Sequence, residues 1–529
     1  MTLDGFLAFL TLAVAIYALI SPVAKLRALI ALPFQIPLAI LGFILVLYFE
    51  FFPALKEPCP SELGQACEWL VFPADQSFTP AQAAFVVVLV WMVLALVAHL
   101  MARPGTRSLT AMAALIDTLV YEQRFAELVK LFEPYLAMVS RAAQRKLPLQ
   151  RLHDRLAKFD DTKDRQRSAR KYLRAAMVGL AFIVPAQRKA EEAGLNIVRV
   201  LYRSADFRRF ITQMRPYFAL SLLRLDLFAK YDFADAYFAD LIADTGSVLY
   251  QELEQHQNAS GLYFPESNRL LHFLFADVRV AEDLAVYKPV AGYLFNILRT
   301  DESAEYTTYL NKRSDSFDVE CWQDPTFAVI SFFDLMVSAA AHQGVRWHMW
   351  LYHFPSIVAR LEELYDSSGL TIDTSDEFPT RAARLIYETF RVQGNWIRLV
   401  KNLPRESPHR SIEPGLHGDN SNIPMSAALA LGSSMAIVAM SARIGDSFVA
   451  YLHETIMRDI NDLNREGDEG RLRSFLIHSI VNGGQHNPGH CYGMRLRSLL
   501  GNADHFLRQE LEDYEAALEA AYPGIALGS

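Results

Sequence analysis

The chain has 529 residues, a net charge of −8, and 52% hydrophobic against 21% charged residues. That balance excludes a surface built throughout for nucleic acid, and it excludes a transporter lying wholly in the membrane, yet it is more apolar than a soluble average. No phosphate-cradling P-loop, dinucleotide fingerprint or GxSxG nucleophile elbow occurs, so no motif identifies a reaction or names a cofactor.

The first element is an apolar run from Gly5 to Ser21. Asp4 precedes it, no basic residue stands ahead of it and no small-residue cleavage site follows, so it reads as a short membrane span rather than a secretory signal. Lys25 and Arg27 come next and belong on the cytoplasmic side, which puts the amino terminus outside. A second span is expected from Pro33 to Phe52. Pro33 and Pro37 around Gln35 read as its N-terminal turn, the alternative being prolines that free carbonyls along a polar path.

The loop 53–82 that follows is acidic, as suits a segment outside the cytoplasm. It holds Cys59 and Cys67, which an oxidising compartment would join in a disulfide, the alternative being two unpaired thiols; Cys321 and Cys491 are expected to stay reduced. The third span is the clearest. Ala83 to Ala102 is free of Asp, Glu, Lys and Arg and runs into Arg103 and Arg107. Roughly 20 apolar residues rising about 1.5 Å each are enough to cross a bilayer core. The prediction is therefore a three-helix anchor over 1–104, with everything after it in the cytoplasm beneath a bacterial-type inner membrane.

Beyond Arg107 the apolar residues keep helical spacing, as in Leu109, Met112, Leu115 and Leu119, and strand-like alternation is nearly absent. The expected fold class is all-α: three N-terminal transmembrane helices followed by a large cytoplasmic domain of stacked helical hairpins. Its two parts are a helical-hairpin domain over 105–320 and a C-terminal helical domain over 321–529 with His- and Gly-rich loops. A local pattern recurs in Arg124-Phe125-Ala126-Glu127, Asp232-Phe233-Ala234-Asp235 and, more loosely, Asp513-Tyr514-Glu515-Ala516. It resembles the second helix of tetratricopeptide-type hairpins, but the copies are irregularly spaced and the rest of that repeat is missing. Stacked hairpins are all it supports.

The segment 141–174 carries twelve Lys or Arg against four Asp. Arg145, Lys146, Arg151, Arg155, Arg170 and Lys171 are its candidates for contact with anionic lipid, which attracts basic residues by about 1 kcal/mol each at the surface. Nucleic acid is the less favoured partner, and a solvated helical face with internal Asp pairs is the plainest reading.

Ile423 to Ala442 is uncharged and long enough to span. Alanine, serine and glycine make up more than half of it, however, so a buried helix capped by Asn422 is expected instead of a fourth span. Two loops stand out, 404–422 and 482–493. Long irregular connections in a compact domain usually serve a function or are disordered.

Ten of the fourteen histidines follow Val337. His486, His490 and Cys491 form their densest group, a weak candidate for a zinc site or a Cys-His nucleophile, with neither a CxxC partner nor an HExxH motif beside it. The aromatic run from Arg346 to Phe354 suits either a ligand pocket or a packed corner.

The leading expectation is a membrane-anchored cytoplasmic helical scaffold, sensor or membrane effector, one form being a stress or phage-defence effector. Its partner would be another protein or a second copy of the chain. The alternative is a membrane-tethered metal- or cysteine-dependent hydrolase using His486, His490 and Cys491.

Overall fold

A computed structural model describes residues 22–51, 80–101, 105, 108–144, 185–225, 230–258, 267–299, 304–314, 319–346, 349–370, 378–412, 422–486 and 488–523. Among them every regular element is helical, and no strand occurs. The expected all-α class is what the chain adopts.

The helices are α1 (Pro22–Phe51), α2 (Pro80–Met101), α3 (Leu109–Tyr121), α4 (Phe125–Phe132), α5 (Leu136–Gln144) and α6 (Pro185–Arg203). Next come α7 (Ala205–Met214), α8 (Pro216–Leu223), α9 (Lys230–Ala243), α10 (Val248–Asn258), α11 (Arg269–Phe275), α12 (Val278–Asp283), α13 (Tyr287–Ile297) and α14 (Ala304–Leu310). The remainder are α15 (Pro325–Gln343), α16 (His353–Leu364), α17 (Arg381–Arg398), α18 (Ile423–Met440), α19 (Asp446–Asp462), α20 (Gly467–Val481), α21 (His490–Asn502), α22 (His505–Gln509) and α23 (Glu512–Ala521). They form two compact units, one of residues 1–208 with 225–227, the other of 209–224 with 228–529.

In the first unit, α1 and α2 lie side by side and antiparallel: Gln35 donates to the Ala95 carbonyl at 3.5 Å, Gly42 faces the Trp91 ring, and Val46 and Val88 bury each other. Many of their described apolar side chains are exposed, among them Phe34, Ile40 and Ile44 on α1 and Phe85, Val93 and Leu96 on α2. Pro33 and Pro37 do not open a helix, as the sequence suggested; α1 begins a full eleven residues before Pro33 and runs through both. Four residues apart, they remove two N–H donors from one side of the helix, which confines the loss to a single face.

Beyond them, the described helices of this unit pack on one another, α6 against α3 and α5, and α3 against α4. Chain reversal between α3 and α4 uses Gln123 in the left-handed region, φ 56°, with Arg124 N donating to Leu119 O. Phe125 then opens α4 buried, its ring 5.7 Å from Phe207 on α7 rather than on the helix before it. Gly194 lets α6 approach α5 closely, because a Cβ there would stand 3.2 Å from Ala143 N. The expected first span at 5–21, Cys59 and Cys67, and Arg145, Lys146, Arg151, Arg155, Arg170 and Lys171 all lie outside the described residues.

The second unit is built around α15, α17 and α18. α15 packs on α13 and α17, while α18 packs on α16, α17, α20 and α21. Both α15 and α18 are long and apolar enough to cross a membrane, but 67% and 83% of their apolar windows are buried against other helices. Burial of that kind is what a core helix requires. The Asn422 side chain caps α18 by accepting from Met425 N at 3.1 Å, with Pro424 in the first turn. One buried acid acts the same way at a distance: Glu252 of α10 accepts from Leu270 N and Leu271 N at the start of α11 and from the Tyr217 hydroxyl. Burial pushes its carboxyl up, and those three donors pull against the shift.

Candidate functional site

Three of the four glycines in 482–493, Gly483, Gly484 and Gly493, are packed too closely against neighbours for a side chain. Gly483 and Gly484 have φ of 64° and 59°, and Gly484 is pressed against α18 so closely that a Cβ would overlap Leu429 O and Ser433 Oγ. Ser433 Oγ accepts from Gln485 N at 3.2 Å, and Gly432 opposite leaves no room for a side chain against Ser479 O. Only glycine fits a left-handed turn seated on another backbone.

The three residues singled out in the sequence sit at the edge of this turn. His486, His490 and Cys491 are exposed; the His490 ring meets Tyr522 edge-on at 6.4 Å, and Cys491 is a free thiol. Among the described residues no three His, Cys, Asp or Glu side chains stand close enough to share a metal ion. The other flagged segments are placed as follows. Trp350 and Phe354 are buried, with Phe354 edge-on to Trp396 at 4.6 Å; Trp347 and His348 lie outside the described residues. Of the loop 404–422, the described ends are tied together by His409. Its Nδ1 accepts from Ile423 N at 3.2 Å, so its Nε2 carries the proton donated to Val345 O at 2.9 Å. Burial holds this imidazole below its ordinary pKa, in keeping with a ring that must stay neutral.

Two polar pairs lie deeper, both on α19. His453 Nε2 is 2.9 Å from the Tyr514 hydroxyl, its Nδ1 has no hydrogen-bond partner, and burial depresses its pKa to about 4. Asp459 receives Arg398 Nη1 at 2.6 Å; burial pushes its carboxyl up to about 6, against the pull of Arg398. The first pair ties α19 to α23 and the second ties α17 to α19.

A small cleft open to solvent lies elsewhere in this unit, with room for about one water, roughly 10 Å³. Its walls are Tyr309, Cys321, Phe327, Arg381 and Arg384, with the buried Asp324 among them. Thr380 caps α17 by accepting from Ala383 N, and Asp324 caps α15 by accepting from Thr326 N at 2.7 Å and Phe327 N at 3.2 Å. The starts of two helices therefore face one space. The Tyr306 hydroxyl completes the Asp324 set at 2.9 Å. Arg381 lies over the Tyr309 ring, 4.2 Å from its centroid, and Arg384 Nη2 reaches Cys321 Sγ at 3.7 Å. Desolvation drives the Asp324 carboxyl up, while its donors and Arg381 draw it down.

Sequence reasoning passed over these residues. The signal present was local, a Thr-Arg-x-x-Arg helix start at Thr380 and an Asp-Pro-Thr start at Asp324. Nothing in it says that two helix starts 56 residues apart share a wall. No family model matches the chain, and no curated protein or solved structure matches it either.

Proposed function

We propose that the chain is a membrane-anchored helical protein, its three N-terminal helices crossing a bilayer and its helical body acting in the cytoplasm as a scaffold, sensor or effector that binds a partner or ligand. One observation supports the anchor above the others: α2 is 22 residues long, carries no Asp, Glu, Lys or Arg, and exposes apolar side chains repeatedly between Phe85 and Met101. At about 1.5 Å per residue it spans a bilayer core, and water would make such a surface costly. Arg103 and Arg107 directly after it support a cytoplasmic body.

Fractionation and a terminal reporter test this together. The chain should stay in the pellet after alkaline carbonate washing, and a green fluorescent fusion at Ser529 should glow while an alkaline phosphatase fusion there stays silent. Release into the supernatant would remove the anchor, and an active phosphatase would reverse its orientation.

A further inference from the structure

We propose that α22 and α23, with Tyr522 after them, form a strap over α19, α20 and α21 that opens as a unit when His453 takes up a proton. The strap gives the sensor reading a trigger, but it stands or falls separately from the membrane anchor.

The way the strap is held carries the proposal. α22 buries no residue, and α23 is anchored by Tyr514 and Leu518, with Leu511 just ahead of it. The other ties are polar and fall at three points. At the start of α23, the buried Arg473 of α20 donates to Asp513 at 2.6 and 2.9 Å and to Glu510 O at 3.2 Å. One residue on, the Tyr514 hydroxyl stands 2.9 Å from His453 Nε2. Past the end of α23, the Tyr522 ring lies on Gly493, its hydroxyl donates to Val481 O at 3.0 Å, and its carbonyl accepts from Arg497 Nη2 at 2.8 Å. An element with so little apolar burial separates from its neighbours before the core does.

His453 is where a proton breaks this arrangement. The residue is 1% exposed, and among the described residues its Nδ1 has no hydrogen-bond partner. A neutral ring carries one N–H, whereas a charged ring carries two and leaves the second buried without an acceptor. No neighbouring charge compensates. Tyr514 of α23 faces the ring, Tyr492 of α21 and Tyr522 lie beside Tyr514, and α18 has no titratable residue. Charges on the adjoining helices are already paired: Arg473 of α20 with Asp513, Arg398 of α17 with Asp459, Arg458 with Glu454 on α19, and Arg508 with Glu515 within the strap. Burial alone therefore holds the closed ring's pKa at about 4, against an ordinary 6.5 once the strap lifts and water reaches it. Between those values the open state binds more protons than the closed one, so opening gains about tenfold for each pH unit below 6.5. Asp513 acts in a lower window: Arg473 holds its carboxyl below the ordinary value, so it favours opening only below about pH 4.

Amide hydrogen exchange tests the strap. It is followed by mass spectrometry on the purified full chain in detergent, at several pH values on either side of the ordinary histidine pKa, with the intrinsic pH dependence of amide exchange divided out. Relative to a mildly alkaline reference, protection of α23 should fall about tenfold at about pH 5.5 and about thirtyfold at about pH 5, while that of α18 stays unchanged. His453→Gln and His453→Phe, neither of which titrates, should each keep the protection of α23 level across the range. Should neither variant fold, the parent decides, because a strap that opens as a unit shows its slope in α23 and not in α18. The proposal is overturned if protection of α23 is the same at every pH, if α18 loses protection in step with it, or if a folded non-titrating variant keeps the slope.

Discussion

Gly394 of α17 meets the carboxylate of Asp459 on α19 with nothing between them; a Cβ at position 394 would overlap Asp459 Oδ2. The contact lets Arg398, one turn further along α17, close on Asp459 Oδ1 at 2.6 Å. Glycine here is required by the neighbour's charge and not by backbone shape. Gly394→Ala should therefore destabilise the chain by about 1–3 kcal/mol through overpacking, although alanine is the better helix former. Thermal unfolding of the variant checks it, and an unchanged or raised Tm would count against the contact.

The same Asp459 gives a pH prediction. Its folded pKa, about 6, lies above the ordinary carboxylate value because burial disfavours the charge. Between about pH 4 and 6 the folded state then binds more protons than the unfolded one, so stability falls as pH rises through that window and levels off above it, a change of roughly 2–3 kcal/mol. Asp459→Asn should flatten this part of the Tm–pH curve relative to the parent. A parent-minus-variant curve without slope between those pH values would reject the assignment.

His453, two turns away on α19, works in the opposite sense. Burial lowers its folded pKa to about 4 from an ordinary 6.5, so its contribution is complete above pH 6.5 and is lost as pH falls toward 4. Removing the hydroxyl in Tyr514→Phe leaves the ring without its Nε2 partner and should cost about 1–3 kcal/mol at neutral pH. His453→Phe should remove the acid-side loss, read again as a difference in Tm between parent and variant. Because Asp459 and His453 slope in opposite directions, the parent alone can look nearly pH-independent across this range, and only the single variants expose the two terms.

The 482–493 turn allows packing and chemistry to be told apart. Gly432→Ala and Gly484→Ala insert a methyl between backbones already in contact, which should cost about 1–3 kcal/mol or more, whereas His486→Ala and Cys491→Ser change exposed side chains and should stay within about 0.5 kcal/mol. Tm values of the four variants make the comparison. A hydrolytic role for His486, His490 and Cys491 would instead show as an activity lost in the last two with stability intact.

What the sequence conveys well is whatever depends on near neighbours. Helical spacing after Arg107, the Asn422 cap and the burial of a helix rich in Ala, Ser and Gly over 423–440 were all legible, because each rests on residues within one or two turns. Pro33 and Pro37 misled, since proline marks a helix start more often than an interior and α1 is long enough to absorb two. The Gly-rich turn drew attention for its histidines when its glycines were the informative residues. The cleft at Arg381 and Arg384 was not legible at all: it depends on α15 and α17 packing side by side, a tertiary fact that no local pattern encodes.

The membrane reading makes one further demand on α2. Val93 lies near the middle of that helix and is 52% exposed, on the side turned away from Val46 of α1. If this face meets lipid, an arginine at the helix centre disfavours insertion by about 2.5–3.5 kcal/mol, while a leucine of similar polarity leaves it untouched. Val93→Arg should shift a substantial part of the chain from the carbonate-resistant pellet to the supernatant or to proteolysis, and Val93→Leu should fractionate like the parent. If the face instead met water or another soluble helix, an exposed arginine would be tolerated or even improve solubility, and the two variants would fractionate alike.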